Sequence, residues 1–287
     1  MQQPPSLEHL GKSAEVKFWR DPDLPCVEIR FSRYSGAAFS RHAHDTFSVG
    51  LVEEGWSSFF CRGANHSIGA GEIAVIPPGE IHSCNPRSGT EWTYRMFYID
   101  ADWLRHAASE VLGVGLAGLP RFSTCTVRDG YLAEQLRHLH RLVESGADRL
   151  EKECAMVSSA TALLLGHGDD RPRRSEAPRE PKAVKLVKDY IEANYAETIS
   201  LKDLSDLTGL SAYHLLRVFR ASAGVPPHAY LVQKRLNKAR EMLSKGRPIV
   251  DVALEIGFSD QSHFTRAFKG AAGITPRGYR MAQRSPS

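Results

Sequence analysis

The sequence predicts an α+β protein of two domains, in which a strand-rich N-terminal barrel with helices precedes an all-α C-terminal domain. Three observations support this prediction: short apolar runs of strand length in the first hundred residues, helical periodicity in the last hundred, and a polar, proline-containing stretch between them. A chain of 287 residues is long enough for each domain to bury its own core without disulfide bonds. We place the N-terminal domain at residues 1–166, a linker at 167–182 and the C-terminal domain at 183–287.

Strand-like runs separated by turn residues follow one another between residues 26 and 99. The runs are VEIRFSRY, FSVGLVEE, SSFFCR, EIAVIP and TYRMFYI. Gly55, Gly69, Gly71 and the segment Pro77-Pro78-Gly79 supply turns between them. Several short strands at nearly regular spacing, with Gly and Pro between them, are typical of a β-sandwich or β-barrel.

The periodicity becomes helical from about Asp129. Apolar residues then recur at spacings of 4, 3 and 4, at Leu132, Leu136, Leu139 and Val143. This pattern predicts an amphipathic helix, and a second helix follows over roughly residues 150–165. The two helices either cover the barrel or form a dimer seam in the manner of heptad repeats, and the sequence does not choose between these interpretations.

Residues 167–182, HGDDRPRRSEAPREPK, contain three prolines, many charges and no large apolar residue. Such a composition does not pack into a core, so we predict an exposed linker. The chain after it is helical in pattern, and an apolar stripe opens the C-terminal domain at Val184, Val187, Ile191 and Tyr195.

Charge, cysteine content and hydropathy limit the class of protein. Residues 183–287 carry 16 Lys and Arg against 9 Asp and Glu, a net charge of +7, whereas residues 1–182 carry 21 against 24. A basic C-terminal domain beside a slightly acidic partner is expected of a phosphate-binding module. Five cysteines without a Cys-x-x-Cys pair indicate neither a disulfide framework nor a zinc ribbon, and favour a reducing cytoplasm. No stretch reaches the roughly 18 consecutive apolar residues of a membrane helix, so we expect no membrane partner.

An internal repeat occupies the last hundred residues. Four positions recur 48 residues later: Leu201, Leu204, Gly209 and Leu210 become Ile249, Val252, Gly257 and Phe258. Six more recur at an offset of 49: Leu215, Arg217, Phe219, Gly224, Pro227 and Tyr230 become Phe264, Arg266, Phe268, Gly273, Pro276 and Tyr279. One supersecondary unit therefore occurs twice.

The first unit contains the parts of a helix-turn-helix. Ser200 and Asp203 form a capping-box-like start, Gly209 suits a turn because it tolerates positive φ, and Ser211 is placed to cap a second helix. The inward residues of that helix are Leu215, Val218 and Phe219, and its outward residues include Tyr213, Leu216, Arg217 and Arg220.

The second unit repeats this plan. Pro248 suits a first helical turn, Gly257 forms the turn, and Ser259 or Asp260 caps the next helix. Its inward residues are Phe264, Ala267 and Phe268, and its outward residues are Gln261, Ser262, His263, Arg266 and Lys269.

The outward residues have the chemistry of nucleic-acid recognition. Arg bonds guanine bidentately, Gln bonds adenine, and Tyr or Leu contacts the thymine methyl group, whereas Arg220 and Lys269 lie one turn later and suit phosphates. Each residue alone is also typical of a solvated helix face, and the joint pattern on both helices favours DNA. The helix predicted over about residues 227–244 spans roughly 27 Å, which would set the two outward surfaces about 34 Å apart, one turn of the duplex. We therefore expect binding to two successive major grooves of double-stranded DNA.

Two stretches of the C-terminal domain resemble the paired helix-turn-helix domain of the AraC/XylS family of regulators. They are GLSAYHLLRVFRASAG and IVDVALEIGFSDQSHFTRAFKGAAGITPRGYR. The resemblance covers about residues 183–284 and implies base-reading roles for Tyr213, Leu216, Arg217, Gln261, Ser262, His263 and Arg266. Leu216 departs from the polar residue often found there, which implies that the first unit reads fewer bases.

The N-terminal half resembles the cupin-like sensor domain of the same family, in RHAHDTFSVGLVEEG and GAGEIAVIPPGEIHS. The resemblance implies a small effector held in a barrel, and we select His42, His44, Trp56, His82 and Arg95 as candidate effector-binding residues. His-x-His with a distant third His also resembles the ligand set of metallo-cupins. The glutamate that those proteins place a few residues later is missing, and we therefore expect no metal.

The resemblance implies a cytoplasmic transcriptional regulator, an activator rather than a repressor, that responds to a small-molecule effector, forms a homodimer through its N-terminal domain and contacts RNA polymerase. It implies no enzymatic activity and no cofactor. The alternative is a metal-dependent cupin enzyme fused to a DNA-binding domain, which the absence of stoichiometric metal would exclude. A DNA-repair fusion is disfavoured because the chain lacks a Pro-Cys-His-Arg methyl-acceptor sequence.

Overall fold

A computed structural model describes residues 14–35, 39–86, 90–170 and 181–282. They divide into two compact units: the first holds the described residues up to Glu144 and from Ala155 to 170, and the second holds Ser145–Cys154 and the described residues from Pro181 onward. Most of the predicted linker, residues 171–180, lies outside the described residues.

The described part of the N-terminal unit contains nine strands in two antiparallel sheets. The larger sheet has the order β1-β2-β8-β3-β6-β9 and the smaller the order β5-β4-β7. The strands are β1 (Ala14–Arg20), β2 (Val27–Tyr34), β3 (Phe47–Glu54), β4 (Trp56–Cys61), β5 (Ala64–Gly69), β6 (Glu72–Ile76), β7 (His82–Pro86), β8 (Trp92–Ile99) and β9 (Thr126–Arg128). The five predicted runs are confirmed as β2, β3, β4, β6 and β8, whereas the other four strands were not predicted.

The predicted barrel is not closed. Among the described residues, the ladders form two separate sheets, and an isolated bridge pairs His82 of the smaller sheet with His42 in the segment before β3. The chain leaves β3 for β4 at Gly55, whose φ is 79° and where a Cβ atom would lie 2.1 Å from the Glu91 carbonyl oxygen. This corner transfers the chain from one sheet to the other without a continuous ladder. Both sheets contribute to one buried core, which includes Tyr34, Trp92, Tyr94, Phe59, Ile68 and Cys84.

Three helices complete the N-terminal region: α1 (Ala101–Leu112), α2 (Gly130–Glu144) and α3 (Arg149–His167). The predicted stripe of α2 is confirmed, since Leu132, Leu136, Leu139 and Val143 are all buried. Three of these leucines meet Phe97 of the larger sheet and Met156 of α3 around a void of only about 10 Å³. Of the two interpretations, the stripe therefore covers the sheet within one chain.

The described C-terminal unit is helical throughout. Its helices are α4 (Pro181–Ala193), α5 (Leu201–Thr208), α6 (Ala212–Ala223), α7 (Pro227–Ser244), α8 (Ile249–Glu255), α9 (Gln261–Ala272) and α10 (Pro276–Ala282). The repeat is confirmed as α5–α6 and α8–α9. The glycines at matching positions adopt matching conformations, with φ of 67° at Gly209 and 86° at Gly257, and φ of 75° at both Gly224 and Gly273. None of the helices in the described ranges is long and apolar enough to cross a bilayer.

Replacing the two turn glycines separates backbone conformation from steric contact. We expect Gly209→Ala to cost about 1 kcal/mol, because its positive φ is unfavourable for alanine although no described atom lies within 4 Å of the added Cβ. Gly257→Ala should cost about 2–3 kcal/mol, because its Cβ would also lie 2.4 Å from the Ala196 carbonyl oxygen. Thermal unfolding of the full-length variants measures both losses, and equal losses would contradict this account.

Candidate nucleic-acid interface and effector site

Capping hydrogen bonds define where the two candidate recognition helices, α6 and α9, begin. The Ser211 hydroxyl accepts a hydrogen bond from the His214 amide at the start of α6, and Asp260 accepts one from the His263 amide, at 2.7 Å, at the start of α9. That amide hydrogen bond holds the pKa of the Asp260 carboxyl below its ordinary value. Each helix buries the face that carries its aromatic repeat residue, Phe219 or Phe268. The opposite face is left for a ligand.

On α9 the open face is polar and unpaired. Gln261, Ser262, Arg266 and Lys269 are exposed. None of their side chains forms an ion pair or a hydrogen bond with another described residue. Two cations and an amide are therefore available to an external partner.

The α6 face is less exposed. Arg220 is exposed, whereas Tyr213, Leu216 and Arg217 are half-buried. The Arg217 guanidinium carbon lies 5.7 Å from the centroid of the Tyr213 ring, within the range of a cation–π contact. The ring therefore holds this guanidinium in place at the helix surface.

His263 differs from the other predicted contacts. Its ring packs edge-on against Phe258, with the centroids 5.1 Å apart. Its Nδ1 atom is buried without a hydrogen-bond partner in the described part of the chain. The structure therefore gives His263 a packing role beside any contact with DNA.

Three of the five candidate effector residues converge in the N-terminal unit. The ring centroids of His42 and His44 are 4.8 Å apart, those of His42 and His82 are 4.5 Å apart, and those of His44 and His82 are 5.0 Å apart. Burial, aided by the neighbouring imidazoles, lowers the pKa of His44 to about 4, and burial also lowers the pKa of His82. His44 and His82 are therefore neutral at neutral pH.

The sequence did not single out two other residues of this cluster, Arg30 and Tyr98. The Tyr98 ring lies 5.3 Å from that of His44, and its hydroxyl is hydrogen-bonded to Arg30. The Arg30 guanidinium also bonds Ser32 at 2.8 Å and forms no ion pair with a described carboxylate. It lies 5.3–5.8 Å from four aromatic rings, those of Phe18, Tyr34, Phe39 and Tyr94. Strand alternation in VEIRFSRY, which puts Arg30 on the face of buried Ser32 and Tyr34, was the signal for it.

The structure does not bring Trp56 and Arg95, the other two candidate effector residues, to the histidines. The Trp56 side chain is 51% exposed and covers Gly69, its cross-strand neighbour. Arg95 alternates with Tyr94 and Met96 on β8, so it points to the other face of the sheet. There it is bonded to Glu53 and to His140 of α2.

A surface groove is lined in part by residues that neighbour the histidines in the sequence. It has a volume of about 490 Å³ and is lined by Arg41, Phe60, Arg62, Gly63, Gly79, Glu80 and Ile81. The volume falls within the range of small-molecule sites. Arg41 and Ile81 directly precede His42 and His82 in the chain, so two residues that line the groove are chain neighbours of clustered histidines.

A double-sheet unit with a polar cluster, followed by a duplicated helix-turn-helix unit, defines a ligand-binding transcriptional regulator that binds DNA. Residues 24–159 match the AraC-like ligand binding domain family, and residues 204–282 match a helix-turn-helix domain family. The chain belongs to the AraC family of transcriptional regulators, as its sequence predicted.

Relatives agree with this assignment. The chain is 34% identical over 241 residues to an uncharacterized HTH-type transcriptional regulator of Bacillus subtilis, YbfI, covering 83% of this chain and 86% of the relative. It is 25% identical over 274 residues to the HTH-type transcriptional activator RhaS of Yersinia pseudotuberculosis, covering 92% and 97%. A crystal structure of a probable AraC family transcriptional regulator from Rhodopseudomonas palustris aligns with a TM-score of 0.35 and 34% identity, over 36% of this chain and 99% of that chain.

Proposed function

We propose that α6 and α9 enter two successive major grooves of one DNA duplex, with α9 reading more bases than α6. The observation that carries this proposal is the open face of α9, where Gln261, Arg266 and Lys269 are exposed without an intramolecular partner among the described residues. Arg266 would bond guanine, Gln261 would bond adenine, and Lys269 and Arg220 would bind phosphates. The 18 residues of α7, about 27 Å long, support a separation of one duplex turn.

Two substitutions on α9 test the division between base and phosphate contacts. We expect Arg266→Ala to weaken binding to a duplex selected from a randomised pool by about 1–3 kcal/mol, and to relax the preference at one base pair. Lys269→Ala should weaken binding to the selected duplex and to a random duplex by the same factor, because a phosphate contact carries no sequence information. Titrations of the full-length protein on both duplexes measure the two effects.

Lys269→Ala is the matched comparison for Arg266→Ala, since Lys269 lies one turn from Arg266 on the same exposed face of α9. Equal losses on selected and random DNA for Arg266→Ala would remove its base-reading role. A base preference that changed in Lys269→Ala would remove the phosphate role of Lys269.

The effector, we infer, binds in the N-terminal unit at the histidine cluster, with Arg30 and Tyr98 in place of the earlier candidates Trp56 and Arg95. A groove lined by the chain neighbours of His42 and His82, Arg41 and Ile81, supports this position. Effector binding would change the populations of DNA-binding and non-binding forms, so that operator occupancy follows effector concentration. Footprinting upstream of its own gene, with and without candidate metabolites, tests this link.

We further propose a cytoplasmic, non-enzymatic activator that dimerises through its N-terminal domain and contacts RNA polymerase. The name of the RhaS relative, a transcriptional activator that matches 92% of this chain, supports activation. For the domains we retain 1–166, 167–182 and 183–287 as the proposed division along the chain, within which residues 145–154 form part of the C-terminal compact unit.

A further inference from the structure

Two of the clustered histidines are held in one tautomer. Nδ1 of His42 lies 2.8 Å from the Ser40 carbonyl oxygen, and Nδ1 of His82 lies 2.9 Å from the Glu80 carbonyl oxygen. A carbonyl oxygen only accepts hydrogen bonds, so each Nδ1 must carry the proton and donate it. With Nδ1 carrying the proton, Nε2 is the ring nitrogen that can bind an ion through its lone pair.

The same cluster brings the three imidazole rings within reach of one ion. His42, His44 and His82 each offer a ring nitrogen, and these three atoms lie within 4.8 Å of one another. Histidines that bind metals almost always donate their other ring N–H to a carboxylate or a backbone carbonyl, which is the arrangement of His42 and His82.

The backbone fixes this geometry without help from a ligand. His42 and His82 exchange two main-chain hydrogen bonds, of 3.0 and 2.9 Å, in the isolated bridge that joins the segment before β3 to the start of β7. The bridge sets the two rings 4.5 Å apart. Two of the three rings are therefore held close together before an ion binds, which lowers the cost of ordering them.

We propose that His42, His44 and His82 bind a divalent transition-metal ion of the zinc, iron or nickel type through their ring nitrogens. Imidazole ligands suit these ions. No described Asp, Glu or Cys joins the three histidines, so the set resembles three-ligand sites that keep a position open for an external molecule. The missing glutamate, which led us to expect no metal, would on this proposal leave that open position.

Cobalt(II) tests this proposal, since its visible spectrum reports the coordination of the ion. The full-length protein, purified without a histidine tag and stripped with a chelator, should bind one Co²⁺ per chain with the intense visible bands of a four- or five-coordinate ion. Zn²⁺ should abolish the bands by displacing cobalt, and sodium azide should shift them if a coordination position is open.

The variant His44→Gln should weaken Co²⁺ binding by at least about 100-fold, since it removes a direct ligand and outer-shell changes alone cost about 10–100-fold. The His44 side chain forms no hydrogen bond with another described residue, and its backbone carbonyl oxygen, which accepts from the Gly79 amide at 2.8 Å, is kept in the variant, so we expect the variant to fold. His106→Gln is the matched control, because His106 is exposed on α1 outside the cluster and should leave binding unchanged. Addition of Zn²⁺ should raise the melting temperature of the wild type and of His106→Gln but not of His44→Gln.

Failure to bind a stoichiometric Co²⁺ ion, or equal binding by His44→Gln and His106→Gln, would overturn the proposal. An azide-insensitive spectrum would overturn the open position. The DNA binding of the same metal-free preparation separates this test from that of the proposed function. If the protein binds the selected duplex but has no metal site, only the metal proposal is overturned. Loss of DNA binding with an intact metal site would instead contradict the proposed function.

Discussion

Arg235→Ala is expected to destabilise the C-terminal unit by about 3–5 kcal/mol, the loss typical of breaking a buried ion pair. Arg235 lies on α7 and is 2% exposed. Its guanidinium donates to Asp148 at 2.7 Å and to the Tyr195 and Glu197 carbonyl oxygens at 2.7 and 3.0 Å. The substitution would leave a cavity and deprive both carbonyls of a donor. Arg235 therefore ties α7 to the turn after α4 and to the start of α3.

Asp148 is the ion-pair partner of Arg235. A domain boundary at residue 183, as predicted from the sequence, would leave Asp148 outside the C-terminal domain. Asp148→Asn keeps the packing of Arg235 and both carbonyl contacts, so it should cost less, about 1–3 kcal/mol. Lys238→Ala is the matched control on the same helix, because Lys238 is exposed and paired only with Glu241. It should change stability by less than about 0.5 kcal/mol.

Hydrogen exchange of the α7 amides in the full-length protein measures these losses within the C-terminal unit alone. For Arg235→Ala we expect exchange in α7 to accelerate by about two to three and a half orders of magnitude. Exchange no faster than in Lys238→Ala would refute the role of Arg235. Equal rates for Asp148→Asn and Lys238→Ala would refute the contribution of the ion pair.

The C-terminal unit was predicted well because its signals are local. A capping box at Ser200 and Asp203, a capping Asp260 and glycines at Gly209 and Gly257 act within a few residues, and each was recognised from sequence and confirmed. The link from Arg235 to Asp148 joins residues far apart in sequence, and nothing in the apolar pattern of α3 marks residues 145–154 as part of the C-terminal unit.

The N-terminal unit was predicted less completely because pairing decides its short strands. β5 (ANHSIG) and β7 (HSCNP) have weak strand patterns and form by pairing on either side of β4, and β9 has three residues that pair with β6. Tertiary context therefore overrides local preference in these strands. The separation of Arg95 from the histidines could have been predicted, because alternation in TYRMFYI places it on the opposite face from buried Tyr94 and Met96. The tautomers of His42 and His82 could not be predicted, since backbone carbonyls fix them.

Salt dependence should give the largest change in DNA binding. The two faces bring four cations against the charged duplex, the base-reading Arg217 and Arg266 and the phosphate-binding Arg220 and Lys269. If each of the four displaces one counterion, the logarithm of the binding constant falls with the logarithm of salt at a slope of about −3.6. A rise from about 50 to 200 mM salt would then weaken binding about 150-fold. Two further exposed cations of the unit already have carboxylate partners, Lys202 in Asp206 and Arg247 in Glu255.

Charge removal from the two helices separates this effect from general screening. The double variant Arg220→Gln/Lys269→Gln should reduce the slope to about −1.8, so that the same rise in salt weakens binding only about 12-fold. Lys238→Gln, which removes a cation already paired with Glu241 on α7, should leave the slope at its wild-type value. A double variant with an unchanged slope would mean that the phosphates lie elsewhere on the protein. Each single variant, Arg220→Gln on α6 or Lys269→Gln on α9, removes one of the cations that displace counterions. Each should therefore lower the magnitude of the slope by about 0.9.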